Sequence, residues 1–253
     1  MAPKIGLLHR FGRIVRDFRV PVVDREVGLE ILTNSGWLSA TPVDFRQAVL
    51  LRADWSSVDA GAPIQSGGEE SGELIGLAGG IIEMRTVLGR ADTPLMHLAH
   101  PVFWFGYVPI LTDRPRRILA DAKTPVWLAR ISSAAVKMLL GERPEWWRHL
   151  MQLSIVYGDV SQTIAADLLI RDSERRCAAV LLRLGGVRFA GPGDNKAVEV
   201  PVTQNDLGGA ANLSRNSVGT IVQRLKARRL IDLGYRGMTI RAPPELRAFV
   251  NEG

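Results

Sequence analysis

"TQNDLGGAANLSRNSVGTIVQRLKARRLI", residues 203–231, holds two short apolar-patterned segments separated by a few small residues, in a chain of formal charge +6. Thr203 stands where a helix N-cap hydroxyl belongs, with Asp206 three residues later as a short-armed capping box, and Leu207 and Ala210 supply a core face. Asn212-Leu213 reads as the turn. Ser214 then caps a second helix on which Val218, Ile221, Val222 and Leu225 share one face. That leaves Arg215, Asn216, Ser217, Thr220 and Gln223 for solvent at its N-terminal end. Arg224, Lys226, Arg228 and Arg229 follow towards its C-terminal end, and no acidic residue stands among them. Behind it, "LIDLGYRGMTIRAP" alternates, turns at Gly234 to Gly237 and alternates again, which predicts a β-hairpin wing.

A helix pair of this kind suits double-stranded DNA: the second helix presents its first turns to base edges in the major groove, and surrounding cations meet phosphates. The bland alternative for residues 203–241 is an αα-hairpin plus β-hairpin with an ordinary solvated face. The order of capped start, glycine-containing first helix, S-R-x-[ST]-V second helix and wing favours DNA binding.

Composition sets the frame for the rest. With 253 residues and 46% hydrophobic content the chain can bury one large core or two modest ones, and two domains are expected. The apolar runs fall short of the ~20 residues of a membrane-spanning helix, and the N-terminus shows no signal-peptide cleavage pattern. A soluble, cytoplasmic protein is expected. The single cysteine, Cys177, allows no intrachain disulfide, and alone it cannot hold zinc or an iron–sulfur cluster.

Four parts follow along the chain. Residues 1–30 form a basic amphipathic extension, in which Leu7, Leu8, Phe11, Ile14, Val15 and Phe18 make one helical face, Arg10, Arg13, Arg16 and Arg19 occupy the others, and Pro21 stops the pattern. Docking on its own domain is the first reading, with an anionic membrane surface as the alternative. Residues 31–143 form a β-rich domain. From about residue 45 to 135, short alternating segments punctuated by glycine read as antiparallel strands, with Gly79-Gly80 turning between Leu74, Leu77 and Ile81, Ile82, Met84, Val87. "GEESGE" at residues 68–73 reads as an acidic turn. Residues 144–172 read as one helix of roughly 40 Å that begins at Pro144 and carries Trp147, Leu150, Leu153, Val156, Val160, Ile164 and Leu168 at helical spacing. A stripe sustained that far predicts a homodimer seam, with Gly158 a weak point of about 1 kcal/mol relative to alanine. Residues 173–253 form the winged helix-turn-helix domain.

With these parts in order, the sequence resembles the Crp/Fnr family of bacterial transcription regulators over about residues 45–250. The resemblance implies an α+β fold: an N-terminal β-roll of cupin-like jelly-roll type, a long dimerisation helix and a C-terminal winged helix-turn-helix. It implies a homodimer on a near-palindromic operator, RNA polymerase as a further partner, and a small-molecule effector of unassigned identity for the roll. It also makes Arg215 the guanine-reading arginine, and a guanidinium fork on O6 and N7 supplies the physical reason. Thr203, Gln204, Ser214 and Ser217 are then phosphate contacts, and Gln223 and Arg224 lie on the same DNA-facing surface. Asn216 stands where the family often has glutamate, and Thr220 where it often has arginine. A different half-site follows, since asparagine suits adenine.

The roll departs further. Family members that bind cyclic nucleotides resemble F-G-E followed by R-[ST]-A, whereas here "FWFGYVPILTDRPRRILADA" keeps Gly106, has Tyr107 for the ribose-binding glutamate, aligns Arg116 with the phosphate arginine and puts Arg117 in place of a small hydroxyl residue. A tyrosine lacks the charged two-oxygen acceptor that a ribose diol favours, so cyclic AMP and cyclic GMP are not expected as effectors. Another anionic small molecule, or haem or redox state, stays open as the signal, as does a non-regulatory membrane- or partner-binding role. His97 and His100 in "HLAH" would fall on opposite faces of a strand, and His9 and His149 have no evident metal partners. The sequence calls for no cofactor or metal, and it shows neither clustered carboxylates nor a nucleophile–base spacing of the kind an enzyme needs.

Overall fold

The computed structural model describes residues 24–66, 72–87, 93–112, 114–189, 196–235 and 237–252. The basic extension over 5–19 and residues 68–71 of the acidic turn lie outside them. The chain divides into two compact units, one within residues 13–91 and 99–158, the other within 92–98 and 159–253.

The first unit opens with helices α1 (Arg25–Asn34), α2 (Gly36–Ser39) and α3 (Val43–Leu51). Strand texture was expected from about residue 45. The segment is helical instead, because Pro42 stands at its N-cap and Phe45, Val49 and Leu50 bury one helical face. Phe45 meets the edge of Trp37 at 5.9 Å, Trp37 meets Trp104 at 5.5 Å, and the Trp37 indole N–H donates to the His149 carbonyl at 2.7 Å. The buried indole thus keeps a hydrogen bond while its ring fills the core.

Strands follow as β1 (Asp54–Val58), β2 (Pro63–Gln65), β3 (Glu73–Gly79), β4 (Ile82–Thr86), β5 (Leu95–Ala99), β6 (Trp104–Phe105), β7 (Ile118–Ala122) and β8 (Val126–Ser132), with the short helix α4 (Val108–Leu111) before β7. One sheet has the order β1-β8-β3-β6, and in a second β7 lies between β2 and β4, all antiparallel. This is the expected β-roll. The Gly79-Gly80 turn carries the chain from the first sheet to the second. Gly80 has φ +82°, and a Cβ there would lie 2.2 Å from the Pro125 carbonyl oxygen, so only glycine fits. Ile75 and Leu77 from one sheet meet Ile82, Met84 and Ala120 from the other, with Phe105 among them.

Helix α5 (Ser133–Glu142), capped by the Ser132 hydroxyl, and a 3₁₀ turn at Pro144–Trp146 lead into α6 (Trp147–Leu169). The long helix is shorter than the expected 144–172, since Asp172 caps the next one, α7 (Ser173–Leu184), by accepting from the Arg175 N–H at 2.8 Å. Its expected stripe also divides. Leu150, Leu153 and Val156 are buried in the chain's own core, whereas Trp147 and Leu168 are exposed; Met151, Ile155 and Leu169, outside that stripe, are exposed as well.

The second unit contains α7, β9 (Val198–Val200), α8 (Gln204–Ala211), α9 (Arg215–Ala227), β10 (Ile231–Leu233), β11 (Met238–Ile240) and α10 (Pro243–Asn251). Near the end of α6, buried Asp167 accepts from Arg183 Nε at 3.0 Å and Arg188 Nε at 3.1 Å, and Arg183 also donates to the Met96 carbonyl at 2.6 Å. Burial pulls the Arg183 pKa below its ordinary value, but the adjacent Asp167 carboxylate opposes that shift. Removing either partner would strand a charge in the interior.

Candidate nucleic-acid interface

The helix pair is built by its caps. Thr203 Oγ1 accepts from the Asp206 N–H at 3.1 Å and the Asp206 carboxylate accepts from the Thr203 N–H at 3.1 Å, a complete capping box that starts α8. Asn212 ends it in the left-handed conformation, φ 51° and ψ 52°, which asparagine tolerates better than most residues. At Gly208 a Cβ would sit 2.8 Å from the Leu213 carbonyl oxygen, so glycine lets the turn close against α8. Ser214 then caps α9 by accepting from the Ser217 N–H at 3.1 Å.

Val218, Ile221, Val222 and Leu225 are buried and anchor α9. Asn216, Thr220, Gln223 and Ala227 recur at helical spacing on the opposite, exposed side. Arg215 is exposed at the first helical position, and Ser217, Arg224 and Arg228 line a flank. Gln204 packs against α9: its side-chain oxygen lies 3.3 Å from where a Cβ on Gly219 would be. Thr203 is exposed beside it at the start of α8.

Two features of this surface escaped the sequence reading. The wing is a three-stranded sheet of order β10-β11-β9, because "VEV" at Val198–Val200 pairs with β11. Its alternation of buried Val198 and Val200 around exposed Glu199 was the available signal. The basic face also has an acidic neighbour. Glu174, in the first turn of α7, places its carboxylate 3.7 Å from Arg224 and 3.6 Å from Arg228. Nothing local in the sequence marks that pairing.

The roll residues lie apart from one another in role. Gly106 has φ +87°, and a Cβ there would fall 2.1 Å from the Glu73 carbonyl oxygen, so a backbone approach requires this glycine. Tyr107 is buried, its hydroxyl 3.2 Å from Ser154 Oγ and its ring 5.6 Å from Tyr157. Tyr157 in turn meets Phe103 at 5.4 Å, and burial holds its hydroxyl well above the ordinary tyrosine pKa. Arg116 is buried whereas Arg117 is exposed, so the two cations do not form one cluster.

Among the described residues no group of histidine, cysteine, aspartate and glutamate side chains could hold a metal ion. His149 is packed 4.9 Å from Phe45, and burial lowers its pKa from the ordinary 6.5. Cys177 is buried, and its thiol is pushed up to about 12, which leaves little thiolate for chemistry. No helix among the described residues is long and apolar enough to cross a membrane.

Comparison with known proteins agrees with this geometry. Solved structures with the same fold include FixK2 from Bradyrhizobium japonicum, at 18% identity and TM-score 0.63 over 78% of this chain and 96% of that one. The c-di-GMP responsive global regulator CLP of Xanthomonas campestris matches at 15% identity and TM-score 0.62, over 79% and 99%. A transcriptional regulator of the CRP/FNR family from Thermus thermophilus matches at 20% identity and TM-score 0.59, over 79% and 99%. A comparison with curated proteins gave no match. The described residues therefore have the α+β fold of Crp/Fnr regulators, with a cyclic-nucleotide-binding-like roll and a helix-turn-helix domain. Within it, residues 175–249 match the family model of the Crp-like helix-turn-helix domain.

Proposed function

We propose that this chain is a sequence-specific DNA-binding transcription regulator that binds a near-palindromic operator as a homodimer. The observation that carries the reading is the exposed face of α9: Arg215, Asn216, Thr220 and Gln223 stand free of the core within a Crp-like domain. In this reading Arg215 reads guanine, Asn216 and Thr220 set the neighbouring bases, and Thr203, Gln204, Ser214, Ser217 and Arg224 meet phosphates. The roll transmits the state of an effector that is not a cyclic mononucleotide, or works without one, and RNA polymerase is the downstream partner.

The test is selection of bound duplexes from a random pool, followed by titration of the winner over a range of salt. A recovered motif with two inverted half-sites about one helical turn apart is expected, with affinity falling steeply as salt rises. Recovery of unenriched sequence, with equal affinity for winner and random duplex, would overturn the sequence-specific reading.

A further inference from the structure

The side chain that faces Arg224 and Arg228 is a carboxylate, and its setting is unusual for a DNA-facing surface. Glu174 keeps only 15% of its side chain exposed, while Arg224 and Arg228 keep 63% and 53%. Its Oε1 is buried without a hydrogen bond, so charge attraction from the two guanidinium groups accounts for its pairing. Position in the first turn of α7 adds the favourable end of that helix's dipole. Arg228 is further held by the Phe249 ring, 5.1 Å away. Both arginines stand on the flank of α9, beside Ser217, not on the outward line of Asn216, Thr220 and Gln223. A flank of a groove-bound helix faces phosphates.

We infer that Glu174 is an affinity-tempering residue: it offsets the two flanking arginines of α9 and so limits the sequence-independent, phosphate-directed part of DNA binding. The inference rests on the DNA-binding reading above. Its logic is electrostatic. Each cation that neutralises a phosphate releases counterions and contributes about 0.9 to the slope of log affinity against log salt. One carboxylate between two guanidinium groups leaves that flank with less net charge for phosphates. Because non-specific sites vastly outnumber operators, a lower sequence-independent term keeps the protein available for its operator.

The experiment uses the full-length protein and a random duplex of fixed length, with affinity measured across a range of salt. Glu174→Gln is expected to bind random duplex about 5- to 10-fold more tightly near 0.1 M salt, and its slope is expected to steepen by about 1 to 2. Glu174→Ala, run beside it, should do the same by a different side chain. Glu174→Asp should keep the wild-type slope, because the charge remains. The exposed Glu245 on α10 serves as the control, and Glu245→Gln should move the slope far less.

Equal effects of Glu174→Gln and Glu245→Gln would overturn the inference in favour of net charge alone. Weaker binding by folded Glu174→Gln and Glu174→Ala would overturn it too, making the carboxylate a support that aims the arginines. If the wild type shows no salt-dependent duplex binding, the DNA-binding reading itself falls, and that outcome is distinct from an unchanged slope in the variants.

Discussion

Arg215 stands exposed at the first position of α9, immediately after the Ser214 cap. A planar guanidinium in that place can make two parallel hydrogen bonds to one guanine, which an ammonium cannot. Arg215→Ala is therefore expected to cost about 1–3 kcal/mol on the selected operator and to relax selectivity at one guanine per half-site. Arg215→Lys should keep most of the affinity for random duplex and lose the same selectivity. Fluorescence anisotropy on operator and random duplexes reads both, and an equal loss on the two DNAs would reassign Arg215 to phosphate contact. The caps, the buried face and the outward residues of α9 were legible in sequence because they follow from local rules of spacing and side-chain reach. Glu174 was not, since its partners lie on another helix and only folding brings them together.

Helix α6 buries one apolar side and leaves other apolar side chains exposed. Leu150, Leu153 and Val156 bury one side within the chain, which uses part of the stripe that periodicity alone assigned to a partner. Met151, Ile155, Gly158, Gln162, Ala165 and Leu169 recur at alternating spacings of four and three, the seam of a two-stranded coil, and Met151, Ile155 and Leu169 are 53%, 59% and 80% exposed. Such a line in water is costly for a monomer and natural at a two-fold axis. We predict that the protein sediments as a dimer at micromolar concentration. Ile155→Asp should shift it to monomer and lower operator affinity by at least 10-fold while the circular dichroism of the fold persists. A wild type that sediments as a monomer would refute this assignment. Gly158 also fits: among the described residues a Cβ there would meet nothing within 4 Å beyond its own helix turn, so packing there does not require its small size.

For the whole molecule, the two sheets of the roll close over a core that reaches out to aromatic rings, with Tyr107 and Tyr157 in edge contact and Tyr107 tied to Ser154 of α6. The expected pair of pocket cations separates on the segment just ahead of β7, with Arg116 inside and Arg117 outside. Isothermal calorimetry should show no micromolar binding of cyclic AMP or cyclic GMP, and neither should tighten the operator complex. Micromolar binding of cyclic AMP with a tightened DNA complex would show that the tyrosine leaves room for a ribose. The order of parts, the roll, the long helix and the winged domain were set by sequence, because hydrophobic period, glycine turns and caps act over a few residues at a time. Only the tertiary structure decided that residues 43–51 turn as helix, that "VEV" completes the wing, which side of α6 stays free, and that Asp167 and Glu174 find their arginines. Each of those outcomes depends on which surfaces meet across long stretches of chain, and burial, not local propensity, selects among them.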